Sequence, residues 1–414
     1  MKIHIIGGGV IGLCSAWYLA QEGHEITVID KTDLSDGTSH GNAGMVVPSH
    51  FVPLATPGVI AKGIRWMFDK RSPFFVKPRL NRELLQWIWQ FYKACTPEMV
   101  DRAIPSLKHL NEWSRDLYRE FATNPAFDFD LENKGLLMLY KDKKTAREEI
   151  EVAEKAHEMG LEAQLLSPTE VQQLETGVKV DVLGGVYYPE DDHLYPNTFM
   201  QQLVKELNGL GVKFKTGKSV VDINTSNGKV EKLLLSNGQT VPVEHLVLAG
   251  GSWSAQLLKK AGVKILLQDG KGYSMTYTSP TNRPSIPTIL TEAKVAVTPM
   301  GSDLRIGGTL EISNFSEKIH KYRLEGILNS MPRYYPELTL PALDQKSVWQ
   351  GYRPCTPDGL PYIGKSRKLK NLVVATGHAM MGMSMGPGTG KLVAQIMQDQ
   401  PLGMEIDLFK VDRF

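Results

Sequence analysis

Gly7, Gly9 and Gly12, spaced Gly-x-Gly-x-x-Gly, and Asp30 carry the clearest chemical signal in the chain. Glycine weakens strands and helix interiors, so a cluster between two apolar runs implies close approach to bare main chain. Ile3-His4-Ile5-Ile6 reads as a short buried strand, residues 10–21 as a helix and residues 25–30 as a second strand. The glycines then fall in the turn from strand to helix. Gly7 allows the tight turn, Gly9 lets a pyrophosphate reach N–H groups at the helix start, and Gly12 lets the helix pack on the sheet. Val10 and Ile11 head that helix and join the cofactor-contacting set. Asp30 ends the second strand near the spacing of about 20 residues expected for an acid that holds a ribose hydroxyl; Lys31 follows it into the set. The constellation predicts a bound dinucleotide. NAD and FAD share the fingerprint, and the motif alone does not separate them. We find no second Gly-x-Gly-x-x-Gly in such a setting, so one dinucleotide is expected, taking electrons directly from a small substrate.

The 414 residues suit roughly two domains, and 42% apolar with 22% charged residues is ordinary for a soluble globular protein. A net charge of +2 argues neither for nor against nucleic acid, and no nucleic-acid partner is expected. Cys14, Cys95 and Cys355 are odd in number and lack metal-like spacing, so neither a metal site nor a disulfide framework is expected; a reducing, cytoplasmic setting is the default. Residues 5–20 carry no charge, yet they contain four glycines and fall short of the roughly 20 apolar residues of a spanning helix. They read as strand and helix rather than as a membrane span or secretory signal.

Further along come "LSDGTSHGNAGMVVPSH" (34–50), "LVLAGGSWS" (246–254), "GYRPCTPDGLPYIG" (351–364) and "NLVVATGHAMMGMSMGPGTGKLVAQIM" (371–397). In this order they resemble the FAD-dependent D-amino-acid oxidase superfamily, most nearly its bacterial D-amino-acid dehydrogenase branch. Residues 53–68 and 269–277 share the likeness, which covers nearly the whole chain. The resemblance implies an α/β (α+β overall) architecture: a Rossmann-type FAD-binding domain and a discontinuous substrate domain on a mixed, largely antiparallel sheet. It implies non-covalent FAD and oxidation of an amino acid at Cα–N, giving an imine that hydrolyses to a 2-oxo acid and ammonia. Electrons would pass to a quinone or electron-transfer carrier. Some relatives attach flavin to a cysteine near Cys355, but the spacing differs and no covalent bond is expected.

Site residues follow. Thr38, Ser39, Asn42, Ala43 and Gly44 form a small-residue loop suited to the pyrophosphate and flavin edge; a plain turn is the alternative. The resemblance implies that main chain near Val220 and Val221 meets the adenine. Gly250 and Trp253 follow a buried strand whose carboxyl end touches the dinucleotide. The resemblance places Gly377, Gly382 and Met383 near the flavin, before a helix expected from about residue 389 to 397 whose positive end, in the family, faces the pyrimidine edge, where it would stabilise the charge built up on reduction. Arg353 matches the family's carboxylate-binding arginine, and a guanidinium holds a carboxylate with two parallel hydrogen bonds. Tyr273 matches a pocket position, with a core tyrosine as the equal alternative. His50 and His378 are candidates for the flavin's substrate face, neither assigned as a base.

The cofactor domain is expected at 1–57, 195–262 and 347–414, and the substrate domain at 58–194 and 263–346. Residues 106–121 read as a core-facing helix, and Ser167 with Glu170 as a capping box around Pro168. Asn237-Gly238 is a type I′ hairpin signal. Residues 58–95 mix Trp66, Trp87 and Trp89 with Lys62, Arg65, Lys70, Arg71, Lys77, Arg79 and Arg82. That pattern suits a lid with an internal apolar face, or a peripheral foot on the inner membrane surface; the lid is preferred. Besides a D-amino-acid dehydrogenase, a dehydrogenase or oxidase of D-proline, D-hydroxyproline or another secondary amine fits the same residues. So does the flavin subunit of a multi-subunit amine dehydrogenase.

Overall fold

A computed structural model describes all residues except 68, 70, 71, 78, 80, 314 and 344–347; Lys70, Arg71 and the expected boundary at 347 therefore lie outside the described residues. Ile3, Ile5, Val28, Val247 and Leu248 are 1% exposed or less, as strands covered on both faces must be. They belong to a six-stranded sheet in the order Tyr362–Lys365, Leu372–Thr376, His245–Leu248, Lys2–Ile6, Glu25–Ile29, Lys213–Lys215. All neighbours run parallel except the edge strand Tyr362–Lys365.

Helix Val10–Gln21 forms as its pattern predicts. The helix expected from residue 389 starts earlier and spans Gly386–Met397. Pro387 sits in its first turn, where a missing N–H costs nothing, so the Gly/Pro entry is helix rather than loop. Its glycines serve packing. A Cβ on Gly390 would lie 2.6 Å from the Cys14 carbonyl carbon, and one on Gly388 3.0 Å from Leu110. The helix is thereby buried between Val10–Gln21 and Pro97–Thr123, the longer form of the helix expected at 106–121. The capping box at Ser167 is present. The hairpin between Lys229–Leu235 and Thr240–Pro242 is also present, but its turn is not type I′. Gly238 alone has positive φ (82°), and the Asn237 side chain instead accepts from Gln239 N–H at 3.1 Å.

A second sheet of nine strands runs Val348–Cys355, Gln268–Tyr277, Asp303–Ile312, Val295–Met300, Thr288–Leu290, Leu136–Tyr140, Gly184–Tyr188, Gln164–Leu166, with Phe74–Val76 beside Asp303–Ile312. It is mixed: Thr288–Leu290 parallels Leu136–Tyr140 and Phe74–Val76 parallels Asp303–Ile312, while the other pairs are antiparallel. Val348–Cys355 falls within the segment expected to join the cofactor side, yet it pairs with Gln268–Tyr277. Arg353 is thus presented by the larger sheet.

Helix Arg82–Ala94 buries Leu84 and Trp87 but leaves Leu85, Ile88, Trp89 and Tyr92 between 43% and 61% exposed. Among the described residues no helix is long and apolar enough to cross a membrane.

Candidate active site

The glycine turn is shaped by close contacts. Gly7 has φ 108°, and a Cβ on it would lie 2.4 Å from the Ala249 carbonyl. A Cβ on Gly12 would lie 1.9 Å from the Gly7 carbonyl. Near Gly9 a Cβ would meet only the Ser39 hydroxyl, at 3.4 Å. Gly9 caps the helix with no side-chain acceptor, and Val10 N–H reaches Ser39 Oγ at 2.9 Å. The N–H groups of Ile11 and Gly12 have no acceptor within the helix, which is the donor set a diphosphate takes. Asp30 accepts from Gly8 N–H at 2.6 Å and from Thr32 N–H and hydroxyl at 2.8 Å each. Those three bonds leave a carboxylate lone pair for a ribose hydroxyl. The next residue, Lys31, lies 3.2 Å over the centre of the Trp253 ring, which stacks on Phe315 at 4.9 Å. At Val221 the pairing with Lys229–Leu235 slips, and its carbonyl accepts from Lys260. These features fit a dinucleotide carrying an adenosine and a diphosphate.

The small-residue loop leads to the larger sheet. Thr38 donates to the Tyr352 carbonyl at 3.2 Å, and Asn42 donates to Met380 O at 3.2 Å while accepting from Gly44 N–H at 2.8 Å. Ala43 packs against a cluster around Met45 and Phe51. Gly44, at φ 71°, would with a Cβ approach Leu194 O to 2.2 Å. Arg305 donates to the carbonyls of His40 and Asn42 at 2.7 Å each, and Ser274 to that of Gly41 at 2.9 Å. Arg305 and Ser274 thus tie the loop down, and sequence reading missed both. Gly250 begins the turn Gly251–Trp253, and Thr376 donates to Gly251 O at 3.0 Å. Gly377 has φ 86°. Gly382 has only His378 Cβ near, at 3.7 Å. The Met383 side chain lies in the core, and its carbonyl accepts from Tyr118 at 2.7 Å. Within the first turn of Gly386–Met397, Gly386 N–H is taken by Met383 O and Gly388 N–H by Ser114. The helix end therefore presents its dipole rather than free N–H groups.

Arg353 extends over Gly272 on the neighbouring strand, where a Cβ would lie 2.0 Å from Nη1. Among the described residues its guanidinium makes one hydrogen bond, from Nη1 to the Thr309 carbonyl at 2.6 Å. Among the described residues no carboxylate pairs with it, and burial pulls its pKa below the usual guanidinium range. Trp349, Gly351 and Arg353 alternate onto one face; Trp349 lies across Gly41 and Gly351 and donates to Asp36 at 3.2 Å. This period-two row of Trp, Gly and Arg was the signal that could have found Trp349.

Tyr273 does not share that face. It follows Gly272, so it points to the opposite side, where it is fully buried and donates to Glu311 at 2.9 Å. It is a core residue, the alternative weighed above. His378 is buried, with Nε2 3.0 Å from the Thr389 hydroxyl, and burial lowers its pKa to about 3. His50 lies with Nδ1 3.2 Å from Ser49 Oγ, its pKa lowered to about 4 by burial and by Lys294. Both rings are held neutral. Cys355 lies in an apolar cluster with Leu84 and Trp87, its thiol pushed up to about 12 by burial.

The chain matches the family of FAD dependent oxidoreductases termed DAO over residues 2–396. It is 31% identical over 420 residues to a D-amino acid dehydrogenase of Methylobacterium radiotolerans, covering 100% of both chains. It is 32% identical over 425 residues to one of Vibrio atlanticus, again covering 100% of both. Among solved structures it is similar to glycine oxidase from Geobacillus kaustophilus (TM-score 0.79, 22% identity, 100% of this chain and 99% of that one). It is likewise similar to L-proline dehydrogenase from P. horikoshii (TM-score 0.74, 19% identity, 100% and 97%).

Proposed function

Because the chain belongs to the DAO family of FAD-dependent oxidoreductases, we propose that it oxidises the Cα–N bond of a D-amino acid whose carboxylate is held by Arg353. One observation carries the assignment of that residue: a desolvated guanidinium whose only hydrogen bond among the described residues is to a peptide carbonyl. A buried cation without a counter-charge is costly, and a bound carboxylate supplies the missing partner. Bound FAD supplies the acceptor for the hydride that leaves Cα. The chain's own part is orientation: Arg353 anchors one end of the substrate, and the loop around Asn42, tied down by Arg305 and Ser274, fixes the cofactor side. No base is needed for a substrate arriving as the neutral amine, which accords with two neutral histidines. The imine product then hydrolyses to a 2-oxo acid and ammonia.

Turnover of D-alanine, D-proline and sarcosine with a dye acceptor tests the reading. Activity on at least one of them is expected, with the ranking separating primary from secondary amines. Inactivity on all three, with oxidation of an alcohol or thiol, would reject it. Co-purification of a second polypeptide needed for turnover would favour the subunit alternative.

For the acceptor we propose a membrane quinone or a carrier near the membrane. The exposed stripe Leu85, Ile88, Trp89 and Tyr92 repeats at helical spacing beside Lys93 and Arg82. Apolar and basic side chains together suit an anionic lipid surface. Sedimentation with phosphatidylglycerol vesicles is expected at low salt and should be weakened by Trp89→Ser; a protein left in the supernatant would remove the proposal.

A further inference from the structure

Thr309 departs from ordinary backbone geometry directly beside Arg353. It has φ 64°, in the left-handed region where a β-branched residue is an outlier. The adjacent Gly307 and Gly308, which could adopt that conformation freely, have no positive φ. The cause is local: pairing between Gln268–Tyr277 and Asp303–Ile312 slips between Lys271 and Tyr273, and the extra residue of the bulge is absorbed near Thr309. A glycine would relieve the strain, yet the chain places a threonine there.

Its hydroxyl is the second anomaly. Thr309 is 7% exposed, and Oγ1 is buried without a hydrogen-bond partner among the described residues. Buried hydroxyls are ordinarily satisfied, so an orphan calls for an explanation. Its position supplies one. Gly307 faces Ser274, whose hydroxyl reaches the Asn42 loop at Gly41. In the bulge Thr309 and Leu310 together stand opposite Gly272, the glycine that Arg353 lies over, while Glu311 is turned to Tyr273 on the other side. The Thr309 carbonyl meanwhile holds Arg353 Nη1. Strain retained at a ligand site is a recognised pattern.

We infer that the Thr309 hydroxyl donates to the carboxylate of the bound amino acid, forming with Arg353 a two-residue clamp; this rests on the proposed oxidation of an amino acid. Thr309 thus has two tasks, aiming the guanidinium through its carbonyl and binding substrate through its hydroxyl.

Three variants test it in the FAD-loaded enzyme. Thr309→Val keeps the branched shape and removes the hydroxyl, Thr309→Ser keeps the hydroxyl, and Thr309→Gly removes both strain and hydroxyl. Thr309→Val should raise KM for the amino acid and the inhibition constant of acetate together, each about tenfold, with kcat and FAD content little changed. Thr309→Ser should restore both constants. Thr309→Gly should melt higher than Thr309→Val yet share its raised KM, which a purely structural role would not produce. Unchanged constants in Thr309→Val would overturn the clamp, and so would a raised KM with acetate affinity intact. If the wild-type enzyme turns over no D-amino acid, the functional reading fails separately. Acetate titration followed by flavin absorbance, wild type against Thr309→Val, still decides the clamp in that case.

Discussion

The Arg353 guanidinium lies across bare main chain at Gly272, so close that a Cβ there would stand 2.0 Å from Nη1. Gly272 has no positive φ, so alanine fits the backbone, and the atoms nearest the added methyl are those of the Arg353 guanidinium. Gly272→Ala should raise KM for the amino acid about tenfold or more through a displaced charge-assisted bond. FAD content should stay at the wild-type level. Steady-state kinetics beside the flavin-to-protein absorbance ratio reads both, and an unmoved KM would show that the arginine's position is immaterial.

Arg353→Ala removes the cation itself. Apparent KM should rise about a hundredfold or more while the protein stays yellow. Arg353→Lys should recover only part of the loss, because an ammonium cannot make the parallel pair of bonds. Wild-type kinetics in Arg353→Ala would assign the carboxylate to another group.

Asp30 braces the glycine turn through Gly8 N–H and Thr32. Asp30→Ala should lose that brace and any ribose contact together, so FAD should dissociate during gel filtration. Thr32→Val loses the hydroxyl's bonds to Asp30 and from Leu34 N–H but keeps the Gly8 and Thr32 N–H bonds to Asp30, and should retain the flavin. Full loading of Asp30→Ala would show that the carboxylate is dispensable to the cofactor.

His378 makes the protein sensitive to acid. Its folded pKa is about 3 against an ordinary 6.5, so between those values the unfolded chain binds the extra proton. Its contribution to stability is therefore present above about pH 6.5 and is lost as pH falls towards 3. His378→Gln should flatten the fall of Tm below pH 6.5; an identical Tm profile would rule out this group as its source.

Asp191 acts with the opposite sign. Burial, with Asp192 adding repulsion, raises its pKa to about 7 despite two bonds from Ser49 and the nearby Arg115. The native state holds its proton from about pH 4 to 7, so stability from this group falls as pH rises through that window. Asp191→Asn should remove the slope, as melting curves at pH 4.5 and 7.5 would show.

The cofactor half of the site was readable because its signal is local. Gly7, Gly9, Gly12 and Asp30 lie within one strand–helix–strand unit; Gly12 answers a contact with its own turn and Gly7 one with the end of the neighbouring strand. The substrate half was only partly readable. Arg353 stood out through its motif, while the pocket and core readings of Tyr273 stood level, because a single-residue step across a strand reverses the side chain's direction. Nothing in "GGTLE" marks Thr309, since positive φ at a bulge depends on the register of the strand opposite.

From the sequence by itself came the dinucleotide turn, the buried parallel strands and the helices with their caps, because periodicity and local backbone chemistry act over a few residues. Tertiary structure alone decided which face of the large sheet carries Arg353, what fills the space beside it and which histidines are sealed off. Those outcomes depend on strand register between segments far apart in the chain, where slipping the pairing by one residue exchanges the two faces.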